Sequence, residues 1–565
     1  MPSTRLISQS GSKDRAKNNA IVMIMKPTIK PAFGIAAITA LLALPLIIVL
    51  WSLLSNPAEA WAQLSGKPLG LYLFNTGALM GLVAIMAGTM GTACAWCVTA
   101  YEFPGRKWLS WALILPIAAP GYIIAYIYAD LLEYYGPLQS GLRAAFGWQA
   151  GEYSVPPIRN IWGGAIMLSL VLYPYVYLLA RAAFLKQSHA QWWAARTLGL
   201  SSRAAFFKIA LPSARPAIAG GLALVLMETL ADFGVADFFA VPTFSVGIFR
   251  NWLILGDKPA ALKLAGIMLL AVFLLVILEA GTRKGRVVTR GKTAAQAERA
   301  ELPKVKQAVL FMLCALPVLL GAIIPTLRLI YHVLTTGDGQ VGSAFIRYAA
   351  NSVSVALIVA ALTLIIAAGL VRQRRAAPSG FNKATIRIAT LGYALPGALL
   401  AVGLLAPLGV FDKSLTRFMS TNFDWSGGLI LTGTILALVY ALTIRFLTVS
   451  YNSVTAGFDK IPMSMEYAAR SLNAGPRDVM RRIQLPLLRP SLIAAFILVF
   501  IDVLRELPAT LILRPFNFDT LATRVYWLAN DERLPEASLA ALVIIILGAL
   551  PTLYLNLYIE RKNKI

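Results

Sequence analysis

The sequence predicts an all-α polytopic membrane protein with about 12 transmembrane helices, built as two fused six-helix halves. Three observations carry this. Of 565 residues, 58% are apolar and only 14% are charged, with a mean hydropathy of +0.70, whereas ordinary soluble domains carry roughly 25% charged residues. The apolar residues are gathered into runs of about twenty, the length that crosses a bilayer as a helix. Features of the first half also return in the second half at a nearly constant offset.

The runs fall near 33–54, 74–100, 108–132, 161–184, 216–241, 260–281, 308–333, 349–371, 385–407, 427–451, 490–514 and 538–560. Backbone donors and acceptors find no water in hydrocarbon, so segments of this kind must be helices. The first is too long for the apolar part of a signal peptide and reads as an uncleaved span. Lys and Arg number 51 against 26 Asp and Glu, a net charge of +25. In a soluble chain that excess would suggest nucleic acid. Here the connections on the N-terminal side are about three to one richer in Lys and Arg than those opposite, which orients both termini to the cytoplasm and removes most of the case for a nucleic-acid partner, so none is expected. The chain then divides into a basic cytoplasmic N-terminal segment (1–32), a first six-helix half (33–281), a cytoplasmic linker (282–307) and a second half (308–565).

Little in the chain suits catalysis or cofactor chemistry. Cys94 and Cys97 form a C-x-x-C inside an apolar run without a βαβ context, and thiols there are ordinary apolar residues. His189 and His332 stand alone, so no metal site is firmly assigned and no catalytic residue is expected. In the linker, Gly285 and the "GKT" at Gly291, Lys292 and Thr293 imitate a phosphate loop, but five residues separate the glycines where four are needed and no strand precedes them. The chain is expected to bind no nucleotide or other cofactor itself.

The internal repeat is the most informative feature. Asn75 recurs as Asn351 and Pro120-Gly121 as Pro396-Gly397, both 276 positions on. The strongest match pairs "WAARTLGLSSRAAFFKIALPSARPAI", from Trp193, with "YAARSLNAGPRDVMRRIQLPLLRPSL", from Tyr467. Ala194, Ala195, Arg196, Leu198, Ile209, Leu211, Pro212, Arg215 and Pro216 recur there at an offset of 274. Two alanines on one helix face permit close approach to a partner. Gly199 and Asn473 occupy the turn position, the residue types most tolerant of positive φ. Pro212 and Pro486 are expected to end the segment, and Pro216 and Pro490 to open the next helix.

These loops resemble the EAA motif of ABC importer permeases, and the fused six-plus-six layout extends the resemblance over nearly the whole chain. Within that family the closest subgroup is the ferric iron importer permeases, which "RPFNFDTLATRVYWLANDERLPEASLAALVI" near the C-terminus also resembles. The resemblance implies a bacterial inner-membrane permease that works by alternating access. It implies two cytoplasmic ATP-binding subunits that consume the ATP, and a periplasmic ferric-binding protein that delivers the cargo. It also implies that Trp193, Ala194, Ala195, Gly199, Ile209, Leu211 and Pro212 form one ATPase-coupling loop, and Glu466, Tyr467, Ala468, Ala469, Asn473, Ile483, Leu485 and Pro486 the other. The motif's glutamate is replaced by Trp193 and Tyr467, with Glu466 one residue early, a departure that alters the salt bridge to the ATPase which the family pattern implies, although an aromatic anchor can replace it by burial. The alternative for both loops is a basic amphipathic segment lying on the membrane surface.

Ionisable residues inside spans are costly and mark function by default. Glu228 and Asp232 in span five correspond to Asp502 and Glu506 in span eleven, each pair at i and i+4 and therefore expected on one helical face. Counted from Pro216 or Pro490, the first of each pair lies roughly 18 Å along the helix, near the bilayer midplane. One reading makes these residues, with Arg505, the lining of a translocation pathway suited to a hard trivalent cation, which prefers oxygen ligands. The other pairs the carboxylates structurally with Arg505 or with hydroxyls. The tyrosine-rich stretch 122–135 reads mainly as an interfacial aromatic belt, with a few residues touching the binding protein. Rival functions are a permease for thiamine, a phosphonate, a polyamine or another small solute, and a proton-coupled secondary transporter with the carboxylates as proton sites. A membrane enzyme would lack a catalytic constellation.

Overall fold

The computed structural model describes residues 32–55, 61, 64, 67–149, 152–186, 199–283, 300–336, 342–376, 379–424 and 428–563. The expected N-terminal segment, most of the 282–307 linker with its "GKT", His189, and Trp193, Ala194 and Ala195 lie outside them.

The first half contains α1 (Ala32–Leu54), α2 (Lys67–Ala100), α3 (Arg106–Ala112), α4 (Gly121–Leu132), α5 (Ile161–Lys186), α6 (Leu211–Ala231), α7 (Gly234–Phe238) and α8 (Lys258–Arg283). The second contains α9 (Lys304–Val318), α10 (Ile324–Thr336), α11 (Ser343–Ala376), α12 (Gly380–Ala389), α13 (Gly397–Phe423), α14 (Ile435–Phe458), α15 (Met463–Ser471), α16 (Leu485–Leu504), α17 (Pro508–Leu513), α18 (Leu521–Asn530) and α19 (Leu534–Asn563). Among the described residues ten helical stretches are long and apolar enough to cross a membrane. A pair bent by 93°, Arg106–Ala118 with Gly121–Phe146, and the apolar start of α19 account for the other two expected spans. The described residues hold one small sheet, a two-residue parallel ladder of Tyr101–Glu102 with Ala300–Glu301.

Four of the expected spans are broken, and the breaks obey the repeat. In each half a 3₁₀ turn, Leu115–Ala118 or Gly392–Ala394, precedes a Pro-Gly pair that starts the next helix. The residue before each proline is extended, with φ −89° and ψ 125° at Ala119 and φ −88° and ψ 125° at Leu395, because the proline ring disfavours helical geometry there. The ninth expected span, 385–407, is thereby corrected to α13, which opens at Gly397 and runs on to Phe423. The fifth and eleventh spans stop early, at Ala231 and Leu504.

The motif prolines behave differently from expectation. Pro212 and Pro486 do not end a segment; they sit in the first turn of α6 and α16, and Pro216 and Pro490 lie inside those helices. Immediately before them the chain makes a π turn, Phe206–Ala210 or Met480–Gln484, closed by Leu211 N–H to Phe206 O and Leu485 N–H to Met480 O. The wider turn leads each helix into the proline, whose own N–H is missing.

Within each half, α2, α5 and α6, and correspondingly α11, α14 and α16, pack together as a core. Gly91 and Gly221 bring α2 and α6 against α5 so closely that a Cβ would meet Tyr173 O or Val176 Cα at 2.7 Å, the small-residue contact typical of helices in lipid. The first helices are exchanged. α1 packs on α8 of its own half and on α12 and α13 of the other, with Tyr440 Oη donating to Leu41 O at 2.5 Å. α9 and α10 reciprocate on α2, α3 and α4, with Tyr128 Oη donating to Leu320 O at 2.7 Å.

Candidate functional site

The four breaks converge on one cavity of about 120 Å³ at the centre of the fold. Its walls include Ile117, Pro120, Gly121, Tyr122 and Tyr175 of the first half and Tyr393, Arg445 and Pro508 of the second. Glu228, Asp232, Asp502, Arg505 and Glu506, which the sequence places in the pathway, all line it. They do not share continuous helical faces. Asp232 caps the end of α6 with an extended backbone (φ −66°, ψ 132°), and Glu506 lies beyond the Arg505 cap of α16. The expected i, i+4 faces are corrected accordingly: the helix stops between the two members of each pair.

The second members serve the short helices that follow. Asp232 Oδ2 accepts from the backbone N–H of Val235 and of Ala236, at 3.1 Å each, and Glu506 Oε1 accepts from Ala509 N–H at 3.2 Å. Each satisfies orphan donors at the start of α7 or α17. Glu506 also pairs with Arg445 (Nε to Oε2, 3.4 Å), whose Nη1 donates to Leu395 O at 3.2 Å.

The first members reach across the pseudo-twofold. Tyr393 and Ile117 occupy equivalent positions in the two 3₁₀ turns, and Glu228 and Asp502 are equivalent on α6 and α16. Tyr393 Oη donates to Glu228 Oε1 at 3.1 Å. In the mirrored contact Arg505 intervenes, its Nη2 2.5 Å from Asp502 Oδ1 and its Nη1 2.8 Å from Ile117 O. The repeat is thus symmetric in backbone and asymmetric in charge: Arg505 has Ala231 as its counterpart. Two guanidiniums engage Asp502 and Glu506, while Glu228 and Asp232 take part in no ion pair among the described residues. Sequence reasoning missed Arg445, Tyr393 and Tyr175 as cavity residues, although Arg445 carries the same signal as the carboxylates, an ionisable group inside an apolar run.

A second cavity of about 760 Å³ lies beyond α4, away from the motif loops, lined by Tyr126, Asp130, Glu133, Tyr135, Arg159, Arg328 and Glu532 among others. Tyr122 faces the central cavity and Tyr126, one turn on, the outer one; the Tyr126 ring packs on Phe238 at 4.4 Å between centroids. Polar contacts tie the halves here: Tyr526 Oη to Asp237 Oδ2 at 2.7 Å, Arg159 to Glu532 at 3.7 Å, and Asp130 Oδ2 to Arg328 Nε at 2.7 Å and His332 Nε2 at 3.2 Å. The expected aromatic belt is corrected: Tyr122, Tyr126 and Tyr128 are buried by α4's central position, and the exposed tyrosines of the stretch are Tyr134 and Tyr135.

At the motif loops the turn positions are left-handed, Gly199 at φ 84° and Asn473 at φ 62°. In the second loop Tyr467, Ala468, Asn473, Leu485 and Pro486 are exposed, and Ala469 and Ile483 are half-buried. Glu466 is instead 5% exposed and faces inward to Arg375, so it belongs to the loop's support and not to its outer face. In the first loop Ile209 and Leu211 are half-buried.

The family model for the "Binding-protein-dependent transport system inner membrane component" matches the chain twice, over residues 87–281 and 361–565. The chain belongs to this family. The double match makes it two fused halves of one kind, a multi-pass inner-membrane ABC permease that depends on a binding protein and an ATPase. Over 94% of its length it is 24% identical to the Fe(3+)-transport system permease protein FbpB 2 of Haemophilus influenzae, covering 99% of that protein. It is 28% identical to the sulfate transport system permease protein CysT of Escherichia coli over 44% of this chain and 90% of that one. It is 29% identical to a putative molybdenum transport system permease protein, YvgM of Bacillus subtilis, over 30% of this chain and 69% of that one.

Proposed function

We propose that this permease carries ferric iron inward across the membrane. The observation that carries the reading is the charge of the central cavity, whose walls hold four carboxylates against two guanidiniums, a formal surplus of two negative charges. Both guanidiniums are engaged by Asp502 and Glu506, which leaves Glu228 and Asp232 to balance a cation. An oxyanion such as sulfate or molybdate would meet repulsion there, whereas a hard trivalent cation finds oxygen donors. A cavity of about 120 Å³ suits an ion with a few waters, each of which occupies roughly 30 Å³. The relative that spans nearly the whole chain is named for Fe(3+) transport, while the sulfate and molybdenum relatives match less than half of it.

In this reading both termini and both motif loops face the cytoplasm. Two ATP-binding subunits engage the loops around Ala194–Pro212 and Ala468–Pro486, and a periplasmic ferric-binding protein docks at the end that holds the larger cavity. Cargo enters that cavity and passes to the central one when Tyr126 and Phe238 part. The test is uptake of radiolabelled ferric iron, sulfate and molybdate by cells lacking the chain and by cells given it back. Only iron uptake should be restored, and Glu228→Gln should lower its initial rate by roughly tenfold at equal membrane abundance, as expected for a membrane carboxylate on the pathway. Restoration of sulfate or molybdate uptake in place of iron would overturn the cation reading while leaving the permease intact.

A further inference from the structure

The last turn of α11 carries "RQRR", Arg372 to Arg375, which the sequence explains only as positive charge beside a membrane. In the structure these arginines are clasps. Arg375 lies where the end of α11, the end of α14 and the helix α15 of the second motif loop meet. Its Nη1 donates to Phe458 O at 2.7 Å and its Nη2 to Ile461 O at 2.5 Å, satisfying carbonyls where α14 runs out. Its Nε lies 3.1 Å from Glu466 Oε1. The guanidinium stands over the Phe458 ring at 5.5 Å. Arg374 donates to Tyr451 Oη of α14 at 3.0 Å, and Arg372 contacts Met480 Sδ, in the π turn on the loop's other side, at 3.5 Å.

The first half holds the equivalent junction differently. Trp96 and Phe206 occupy the positions of Arg372 and Met480 and meet as aromatic rings, 4.9 Å between centroids. The position of Arg375 is Thr99, whose hydroxyl donates back to Ala95 O of its own helix at 2.8 Å.

We infer that Arg375 is a positioning residue for transport, a latch that makes the second motif loop move as one body with α11 and α14. This rests on the reading of that loop as the ATPase contact. The physical grounds are the planar fork of the guanidinium, which donates to two carbonyls through Nη1 and Nη2 and to Met463 Sδ of α15 through Nε at 3.0 Å, all at once where an ammonium cannot, and the burial of Glu466, which meets the same guanidinium as an ion pair and whose charge has to stay paired to remain there. α11 packs along α16, the helix that carries Asp502. The latch therefore connects the loop to the cavity wall through packed helices. Glu466, one place early for the family motif, stabilises the loop from behind and leaves Tyr467 on the outside.

The test uses the full chain co-expressed with its ATPase, reconstituted in liposomes with ferric-loaded binding protein, and measures ATP hydrolysed per iron transported. Arg375→Ala should leave the ATPase bound and hydrolysing but raise ATP consumed per ion by roughly tenfold. Glu466→Gln and Arg375→Lys should fall between. A wild-type ratio in Arg375→Ala overturns the latch. If that variant fails to accumulate, Glu466→Gln decides, because it preserves shape and removes only the charge; a wild-type ratio there overturns the latch equally. A wild-type chain that captures no ATPase would instead overturn the reading of the loop, independently of Arg375.

Discussion

Duplication makes Asp232 and Glu506 equivalent, yet their side chains answer to different physics. Asp232 is a cap for α7, bonded to two backbone N–H groups. Asparagine caps about as well as aspartate, so Asp232→Asn should change stability by only a few tenths of a kcal/mol, and Asp232→Ala by about 1 kcal/mol. Glu506 also faces Arg445, with both side chains under 10% exposed. Neutralising one member of such a pair leaves the other charge buried alone, so Glu506→Gln should cost about 3 kcal/mol. Thermal unfolding of the purified variants in one detergent measures the difference, and equal shifts for Asp232→Asn and Glu506→Gln would show that the Arg445 pair contributes nothing. The carboxylates were legible in the sequence because ionisable groups stand out in apolar runs. Their division of labour was not, since Arg445 lies 61 positions before Glu506 and only folding brings them together.

At the scale of elements, run length and hydropathy gave the number and kind of helices, while the breaks were written in residues whose effect depends on their neighbours. The Pro-Gly pairs at 120 and 396 are breaker signals that sit inside otherwise continuous apolar runs. The early end of α6 has no such signal before Gly234; it comes from Asp232 bonding forward, which periodicity does not encode. The two glycines also differ in what surrounds them. A Cβ at Gly121 would crowd only terminal carbons, Leu168 Cδ2 and Val235 Cγ2, both at 3.2 Å, which have to give by a few tenths of an ångström. At Gly397 it would lie 2.3 Å from Glu506 Oε1, 3.0 Å from Arg445 Nη1 and 3.1 Å from Ala509 N. Alanine gains up to about 1 kcal/mol of helix propensity over glycine, which offsets the small adjustment at 121, whereas overpacking a fixed polar cluster costs about 1–3 kcal/mol. Gly121→Ala should therefore unfold within a degree or two of the parent, as expected for a change well under ~1 kcal/mol, and Gly397→Ala clearly below it. The reverse order in a melting experiment would mean that the Arg445–Glu506 cluster yields more easily than its geometry indicates.

At the scale of the whole molecule, the repeat in the sequence announces two halves but says nothing of the exchange between them, because hydropathy marks a helix as membrane-spanning without naming the surface it covers. The exchange is visible in the thiols. Cys94 and Cys97 belong to α2, and Cys314 belongs to α9, the first helix of the second half; all three are free and buried, and Cys94 Sγ reaches the carbonyl oxygen of Leu313, the neighbour of Cys314, at 3.9 Å. They are the only cysteines of the chain, so any thiol cross-link between halves has to form here. If a protease site is placed in the 282–307 linker and the membranes are treated with a short, membrane-permeant bis-maleimide, each of whose rings adds one thiol, before cleavage, the two halves should migrate as one species on a denaturing gel. Replacing Cys314 by Ser should release them as two. Were α9 packed on its own half, Cys314 would face α11 and its neighbours, no cysteine would be within reach, and the cleaved halves would separate with or without reagent. The same exchange has a mechanical consequence: each half's first helix rides on the other half's broken third helix, so the Pro120 and Pro396 breaks that line the central cavity are held from outside by the opposite half. On the proposed reading of the loops and the cavity, motion imposed at one motif loop would be felt at both breaks, the arrangement that a single pathway between two duplicated halves requires.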